Sequence, residues 1–412
     1  MPNPTGLLCD DTYLRHLPGR TGHPECPERL MAVRDSLRKA PWFAALLPIA
    51  PRMATPQELG LAHEPDYLTL IGREAADVEG LKQLSTGDTI VSRDSLEVAQ
   101  LAAGGVLAAA DAVMDGKVSN LPRQLSDVRA KGYAFEKALE SQVQGLTEQW
   151  GRIKQTVSDD VKQQSASLNQ VMQGIQAQMA QVMAQSANPN AARPAFMQVK
   201  SMAASAEAQA AAAEGAIYGQ YDDFQASVES LSAHLDWVGW MLEALASASF
   251  TLLATEGGVA AAEVNWLRPN SDPMGGVLFL TDQRIIFEER EGEFSVPLEA
   301  PLAQVQSADA ESGQGAGGDE EHLKIIFAPG APASYGLFHL VGPKAEDWKT
   351  QIGRATKGDY TSDRAVAIDQ AAVDKVKSAP TQCPNCSAAF TKPVLRGQTE
   401  ITCEFCGAVT RL

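Results

Sequence analysis

From Phe196 to Leu245 the chain repeats one step. Apolar residues and alanines stand at Phe196, Val199, Ala203, Ala206, Ala210, Ala213, Ile217, Tyr221, Phe224, Val228, Leu231, Leu235, Val238, Leu242 and Leu245, each three or four residues after the last. That period is the seam of a helix packed against another helix. A looser run of the same kind goes from Leu125 through Phe135, Leu139, Trp150, Ile153, Val161, Leu168 and Ile175 to Val182. Between the runs, QSANPNAARPA holds two prolines and two asparagines, a turn signal. The pattern predicts a long antiparallel helical coiled-coil hairpin over residues 121–255, turning near 186–194. Arms of roughly 55 to 60 residues reach about 85 Å at 1.5 Å per residue, too long to fold into one globule. Alanine at the seam lets helices approach closely but buries little area, so a second hairpin alongside is expected, giving a homo-oligomer. The glutamines from Gln163 to Gln178 read as a solvated face. The apolar stretch from Trp237 to Ala254, interrupted by Glu243, reads as a buried helix end.

Four of the six cysteines form two Cys-x-x-Cys pairs, Cys383 with Cys386 and Cys403 with Cys406, sixteen residues apart. Each pair makes a tight knuckle that aims two thiolates at one point, and two knuckles complete a tetrahedron. Residues 380–412 thus resemble a zinc ribbon. The expected cofactor is a structural zinc, because four protein thiolates leave no open position for water. An iron site of rubredoxin type is the chemical alternative. Metal binding would supply most of the stability of so small a module. The cysteine pattern is not a disulfide framework, so a reducing, cytoplasmic setting is expected.

The N-terminal 120 residues alternate short apolar runs with helical ones, an α/β pattern. TGLLCD and LLPIAP read as strands; PECPERLMAVRDSLRKA, ATPQELGLAH and EPDYLTLIGREAAD read as helices, the last two opened by proline. SLEVAQLAAGGVLAAADAVMDG closes the segment as a helix apolar on nearly all sides. The order and spacing of TGLLCDDTYLRH, GHPECPERL, AHEPDYL, STGDT and SLEVAQLAAGGVLAAADAV resemble the N-terminal third of the histone deacetylase and acetoin-utilisation family over residues 5–118. The resemblance implies zinc-dependent hydrolysis of an acetyl-amide. It also implies that Asp88, in STGDT, holds substrate backbone. That chemistry needs three metal ligands, a histidine pair and an oxyanion donor. In the family all of these lie downstream, from a Pro-Gly-His-His stretch onward. Here the resemblance stops near Ser119 and Asn120. The six histidines, His16, His23, His63, His234, His322 and His339, include no adjacent pair, and no Asp-x-His occurs. The closing helix, without the rest of such a domain, is expected to be partly uncovered or covered by a partner. SNLPRQLSDVRAKGY reads like a natural protein start, so the chain reads as a fusion of a truncated deacetylase segment with a second protein.

From Val259 the period changes to that of strands. VAAAEVNWL, GGVLFLTDQRIIFEE, EFSVPLE, HLKIIFA and SYGLFHLVG precede one helix, PKAEDWKTQIGRATK. Residues 256–357 resemble the bacterial, GRAM-like branch of the pleckstrin-homology superfamily, the carrying residues being Gly276 to Phe287. Many such domains bind lipid headgroups, which takes a cluster of Lys and Arg. This segment has 8 Lys and Arg against 16 Asp and Glu. Residues 358–379 read as a linker with a short helix. The whole is expected to be a multidomain α+β chain. Its net charge of −17 opposes nucleic acid and anionic membranes. The function expected is a non-catalytic scaffold that binds protein partners. The alternatives are a deacetylase completed by another chain and a peripheral membrane adaptor.

Overall fold

Short apolar runs and helix-opening prolines lay out the N-terminal part as the sequence predicts. The computed structural model describes residues 5–20, 26–60, 62–87, 89–185, 187–269, 271–315 and 318–412. They fall into two units, one of Met1–Leu121 with Gly145–Ser230, the other of Pro122–Gln144 with Leu231–Leu412. In the first unit β1 (Gly6–Leu8) leads through α1 (Pro27–Arg38) to β2 (Leu47–Ile49), and the two strands pair in parallel. The helices α2 (Pro56–Leu59) and α3 (Pro65–Ala76) both open on proline, whose fixed φ suits a first turn. Thr55 and Glu58 form a capping box on α2, and Arg52 grips the Glu58 carboxylate with two hydrogen bonds of 2.7 and 2.8 Å. The segment read as a loop, QLSTGDTIVS, contains two short antiparallel strands, β3 (Lys82–Gln83) and β4 (Ile90–Val91). They close over Val78, Leu84 and Val91. Strands of two residues are too short to show alternation in sequence.

The apolar closing helix is longer than its motif. α4 runs from Ser95 to Ala130 without a break at residue 120, with Pro122 inside it. Its Gly104 is required by contact: a Cβ there would lie 2.1 Å from the Arg52 carbonyl oxygen and 2.4 Å from the Ala54 nitrogen. The helix stops in a Schellman motif. Gly132 takes φ +100°, Tyr133 N–H donates to the Val128 carbonyl at 3.0 Å and Gly132 N–H to that of Arg129 at 3.0 Å. The 3- and 4-residue period from Leu125 to Val182 is therefore carried by two helices. α4 ends at Ala130, and α5 (Leu139–Ala184) begins after a loop whose Phe135 is fully buried. The apolar spacing bridged a break that Gly132 had marked.

α5 is followed by α6 (Pro189–Ala246). Pro189 occupies the first helical position and the Asn188 side chain accepts from Ala191 N–H at 3.4 Å. Pro194 is inside the helix, so the turn is shorter than its asparagines and prolines implied. Within the first unit the two helices are antiparallel: Trp150 stacks on Phe224, Ser167 accepts from Gln209, and Gly174 faces Met202. Toward the turn the packing thins, with Phe196 50% and Met183 70% exposed.

In the second unit β5 (Gly258–Trp266), β6 (Met274–Thr281), β7 (Arg284–Glu289), β8 (Ser295–Pro301), β9 (Val305–Gly315), β10 (Gly318–Phe327) and β11 (Tyr335–Leu340) form one antiparallel sheet. Its order is β8-β7-β6-β5-β11-β10-β9, two meanders joined by the pairing of β5 with β11. α7 (Ala345–Thr356) follows and buries Ala345, Trp348, Ile352 and Ala355. This is the strand-then-helix order that the pleckstrin-homology resemblance implies. β6 and β7 lack a polar–apolar alternation because both faces are covered. The end of α6 supplies one cover: Trp237 Nε1 donates to the Ala261 carbonyl at 3.1 Å, and Met241 and Leu245 lie against Gly258. The stretch from Trp237 to Ala254 is accordingly a helix end with Val238, Met241 and Ala244 buried, followed by an irregular segment of bends and turns. The hairpin signature Leu-Thr-Asp-Gln-Arg has a structural reason. Arg284 pairs with the fully buried Glu256 through Nε and Nη2, each at 2.9 Å, and Thr281 donates to the same carboxylate at 2.6 Å. Asp282 accepts from Gly257 N–H and pairs with Arg364. α8 (Gln370–Ser378) and the hairpin of β12 (Glu400–Thr402) and β13 (Val409–Arg411) complete the chain.

Candidate metal centre

Two copies of one backbone turn build the cysteine cluster. In the first, Cys383 N–H donates to the Ala388 carbonyl at 2.8 Å and Ser387 N–H to that of Cys383 at 2.9 Å. In the second, Cys403 N–H donates to Ala408 and Gly407 N–H to Cys403, both at 2.9 Å. Each turn needs a left-handed residue after its second cysteine, Ser387 at φ +60° and Gly407 at φ +73°. Glycine supplies that conformation without strain and serine does not, so only the second knuckle shows this signal in sequence.

The four sulfurs lie within 4.8 Å of one another. Cys383 Sγ is 3.6 Å from Cys406 Sγ, and Cys386 Sγ is 3.6 Å from Cys403 Sγ. A disulfide requires about 2.05 Å. A tetrahedral ion with metal–sulfur bonds of about 2.3 Å sets its sulfurs about 3.8 Å apart. The cluster has the second spacing. Cys383 and Cys403 are buried while Cys386 and Cys406 are exposed to solvent. The Cys406 thiol is held down to about 6, first by the Ala408 N–H and then by the Asn385 side chain, which donates to its sulfur. Cys386 also receives a backbone N–H, from Ala388, but the neighbouring sulfurs, Cys406 foremost, raise it to about 12. Four thiolates at this spacing repel one another and need a cation among them. The donor set fits a metal ion. Asn385 and the alanine amides belong to this site, and the sequence did not mark them.

The hairpin that carries the knuckles is tied to the start of the β domain. Ala254 N–H donates to Val394 at 3.0 Å and Arg396 N–H to Leu252 at 2.8 Å, and the Arg396 side chain reaches the Glu256 carbonyl. Lys375 of α8 donates to the Gln398 carbonyl at 3.2 Å.

Asp88, the residue expected to hold substrate, lies outside the described residues, as does His23. His16 Nδ1 is 2.9 Å from Ser95 Oγ, and the His63 ring rests against Tyr67. His234 Nε2 lies 2.6 Å from Glu136, and His322 faces His339 across β10 and β11. Among the described residues, the four cysteines are the group of three or more His, Cys, Asp or Glu side chains whose ligand atoms converge.

The family model of the histone deacetylase domain matches residues 23–124 of this chain. Polyamine deacetylase HDAC10 of Mus musculus is 38% identical over 117 residues, which is 28% of this chain and 17% of that protein. The acetoin utilization protein AcuC of Bacillus subtilis is 33% identical over 111 residues, 26% of this chain and 28% of that protein. The chain thus spans under a third of the length of either relative. Among solved structures, the Vps36 N-terminal PH domain is similar at 17% identity, covering 26% of this chain and 83% of that one with a TM-score of 0.21. The strand order given above, and not this likeness, defines the β domain.

Proposed function

We propose that the chain is a non-catalytic scaffold. The observation that carries this reading is the closed donor set of Cys383, Cys386, Cys403 and Cys406, which fills a tetrahedral ion and leaves no place for a substrate. The ion proposed is zinc in a structural role, and a reducing, cytoplasmic setting keeps its thiols free. The uncovered apolar face of α4 supports protein partners: Val106 is 70% and Val113 45% exposed. The two long helices are read as a coiled-coil hairpin whose thin distal seam supports self-association. The β domain is read as GRAM-like and protein-binding, since its acidic surface opposes phosphate headgroups. The acidic chain is proposed to bind neither nucleic acid nor a membrane surface. By length and composition, α4 alone among the described helices is long and apolar enough to cross a membrane. The helix that continues through Pro122, two residues short of the end of the matched segment, supports fusion of a truncated deacetylase segment with a second protein.

The match over residues 23–124 favours a second reading, a deacetylase completed by another chain. One experiment separates the two. Metal analysis of the purified chain should give about one zinc, lost when Cys383 and Cys386 become serine. An acetyl-lysine peptide and an acetylated polyamine should both remain unhydrolysed, by the chain alone and by the chain isolated together with any partner it retains from its own cells. Two metals per chain, or turnover blocked by a hydroxamate, would establish the enzyme reading instead.

A further inference from the structure

The first unit contains a groove of about 1560 Å³ between α4, α5 and α6. Its floor is apolar: Val106 and Val113 from α4, Leu168 and Met172 from α5, Ala210 and Tyr221 from α6. The uncovered residues of α4 keep a helix-packing step, Ala103, Val106, Ala110 and Val113, three and four residues apart and all exposed. This is a seam with no helix on it. An α-helix about 10 Å across takes up roughly 120 Å³ per residue at its 1.5 Å rise, so the groove accommodates about 13 residues, between three and four turns. Glu64, Asp111, Glu207 and Asp222 line the same groove. None of these four carboxylates forms an ion pair among the described residues, whereas Lys117, the cation in the lining, is already paired with Glu229.

We infer that this groove binds one amphipathic helix of a partner protein, with apolar residues at i, i+3, i+4 and i+7 and lysine or arginine on both flanks. The inference deepens the scaffold reading and rests on it. Three helices with an unfilled apolar channel are completed by a fourth, and the acidic rim selects the charge of its flanks. The net charge of −17 over the whole chain adds long-range attraction for the same partner.

The test uses the full chain and a labelled model peptide of about 15 residues, leucine at the four apolar positions and lysine on the flanks. A twin carries glutamate in place of lysine. Anisotropy should show saturable binding of the lysine peptide, weakening as salt rises, and at least tenfold weaker binding of the twin. Val106→Glu and Val113→Glu replace exposed side chains, so the helical circular dichroism should persist while affinity falls tenfold or more. Asp111→Lys with Asp222→Lys should narrow the difference between the peptides. No binding up to about 1 mM, or binding indifferent to Val106→Glu, would overturn the inference. So would self-association, or binding to anionic vesicles, that Val106→Glu abolishes; the groove would then hold a second copy or lipid. None of these outcomes touches the zinc and deacetylase measurements, which judge the scaffold reading separately.

Discussion

Arg52 and Glu58 show how much one residue pair can hold in place. The bidentate guanidinium, with the Thr55 N–H, lowers the Glu58 carboxyl from its ordinary 4.5 to about 2. The folded state therefore holds this group deprotonated where the unfolded chain would protonate it. Its stabilisation is complete above about pH 4.5 and fades as pH falls toward 2. Carboxyl NMR should place the Glu58 titration near 2, and Arg52→Ala should move it up toward 4.5. A midpoint unmoved by Arg52→Ala would show that the capping box alone sets it. The proline that opens this helix was legible in sequence; the capping box was not noticed there, and the guanidinium could not be, because its role depends on where the chain before the helix lies. The cysteines differ. Their spacing disclosed the whole donor set, since a knuckle is local and its two thiolates are placed by six consecutive residues.

At the scale of elements, the helix α4 carries the end of the deacetylase match and continues past it. The deacetylase match extends to residue 124, six beyond the expected 118, and the helix continues to Ala130. Pro122 lies inside it. Proline lacks the N–H that should bond the carbonyl four residues back, and such a residue costs about 3 kcal/mol inside a helix. In a helix beginning near Asn120 that N–H would have no partner to lose. Pro122 is exposed, so Pro122→Ala removes no packing. The variant should be more stable by about 1 to 3 kcal/mol in urea unfolding. Equal or lower stability would mean that the helix already accommodates its proline. Most helices and strands were legible in sequence because their apolar periods are set by local geometry. The stop at Gly132 was missed because a regular 3- and 4-residue count, continued through Phe135, was given more weight than the glycine. Phe135 is buried in a loop, so its place in that count was coincidence.

At the scale of the whole molecule, the cysteine knuckles are not an appendage. Val394, Leu395 and Arg396 bond to the segment Leu252–Glu256, and Glu256 in turn holds Arg284 beneath the sheet. Breaking such a buried pair is costly, about 3 to 5 kcal/mol, because it strands a charge. Removing the proposed metal should therefore loosen more than the ribbon. After chelation, hydrogen exchange should quicken at residues 252–256 as well as at the knuckles, with α2 and α3 of the first unit unchanged. Quickening confined to residues 380–412 would show that the β domain stands without it.

The sequence by itself determined what neighbours along the chain can specify. It placed the cysteine tetrad, the strand-then-helix order and a deacetylase-like segment near the N-terminus. These depend on spacings within one turn, one strand or one motif. Only the tertiary structure decided that α4 runs on through Pro122, that Thr281 and Arg284 enclose Glu256, and that the ribbon is bonded to the β domain. It also decided that three helices of the first unit leave an apolar channel with acidic rims. Those outcomes join residues tens to more than a hundred positions apart. Burial, charge pairing and packing act on such residues only once the chain has brought them together.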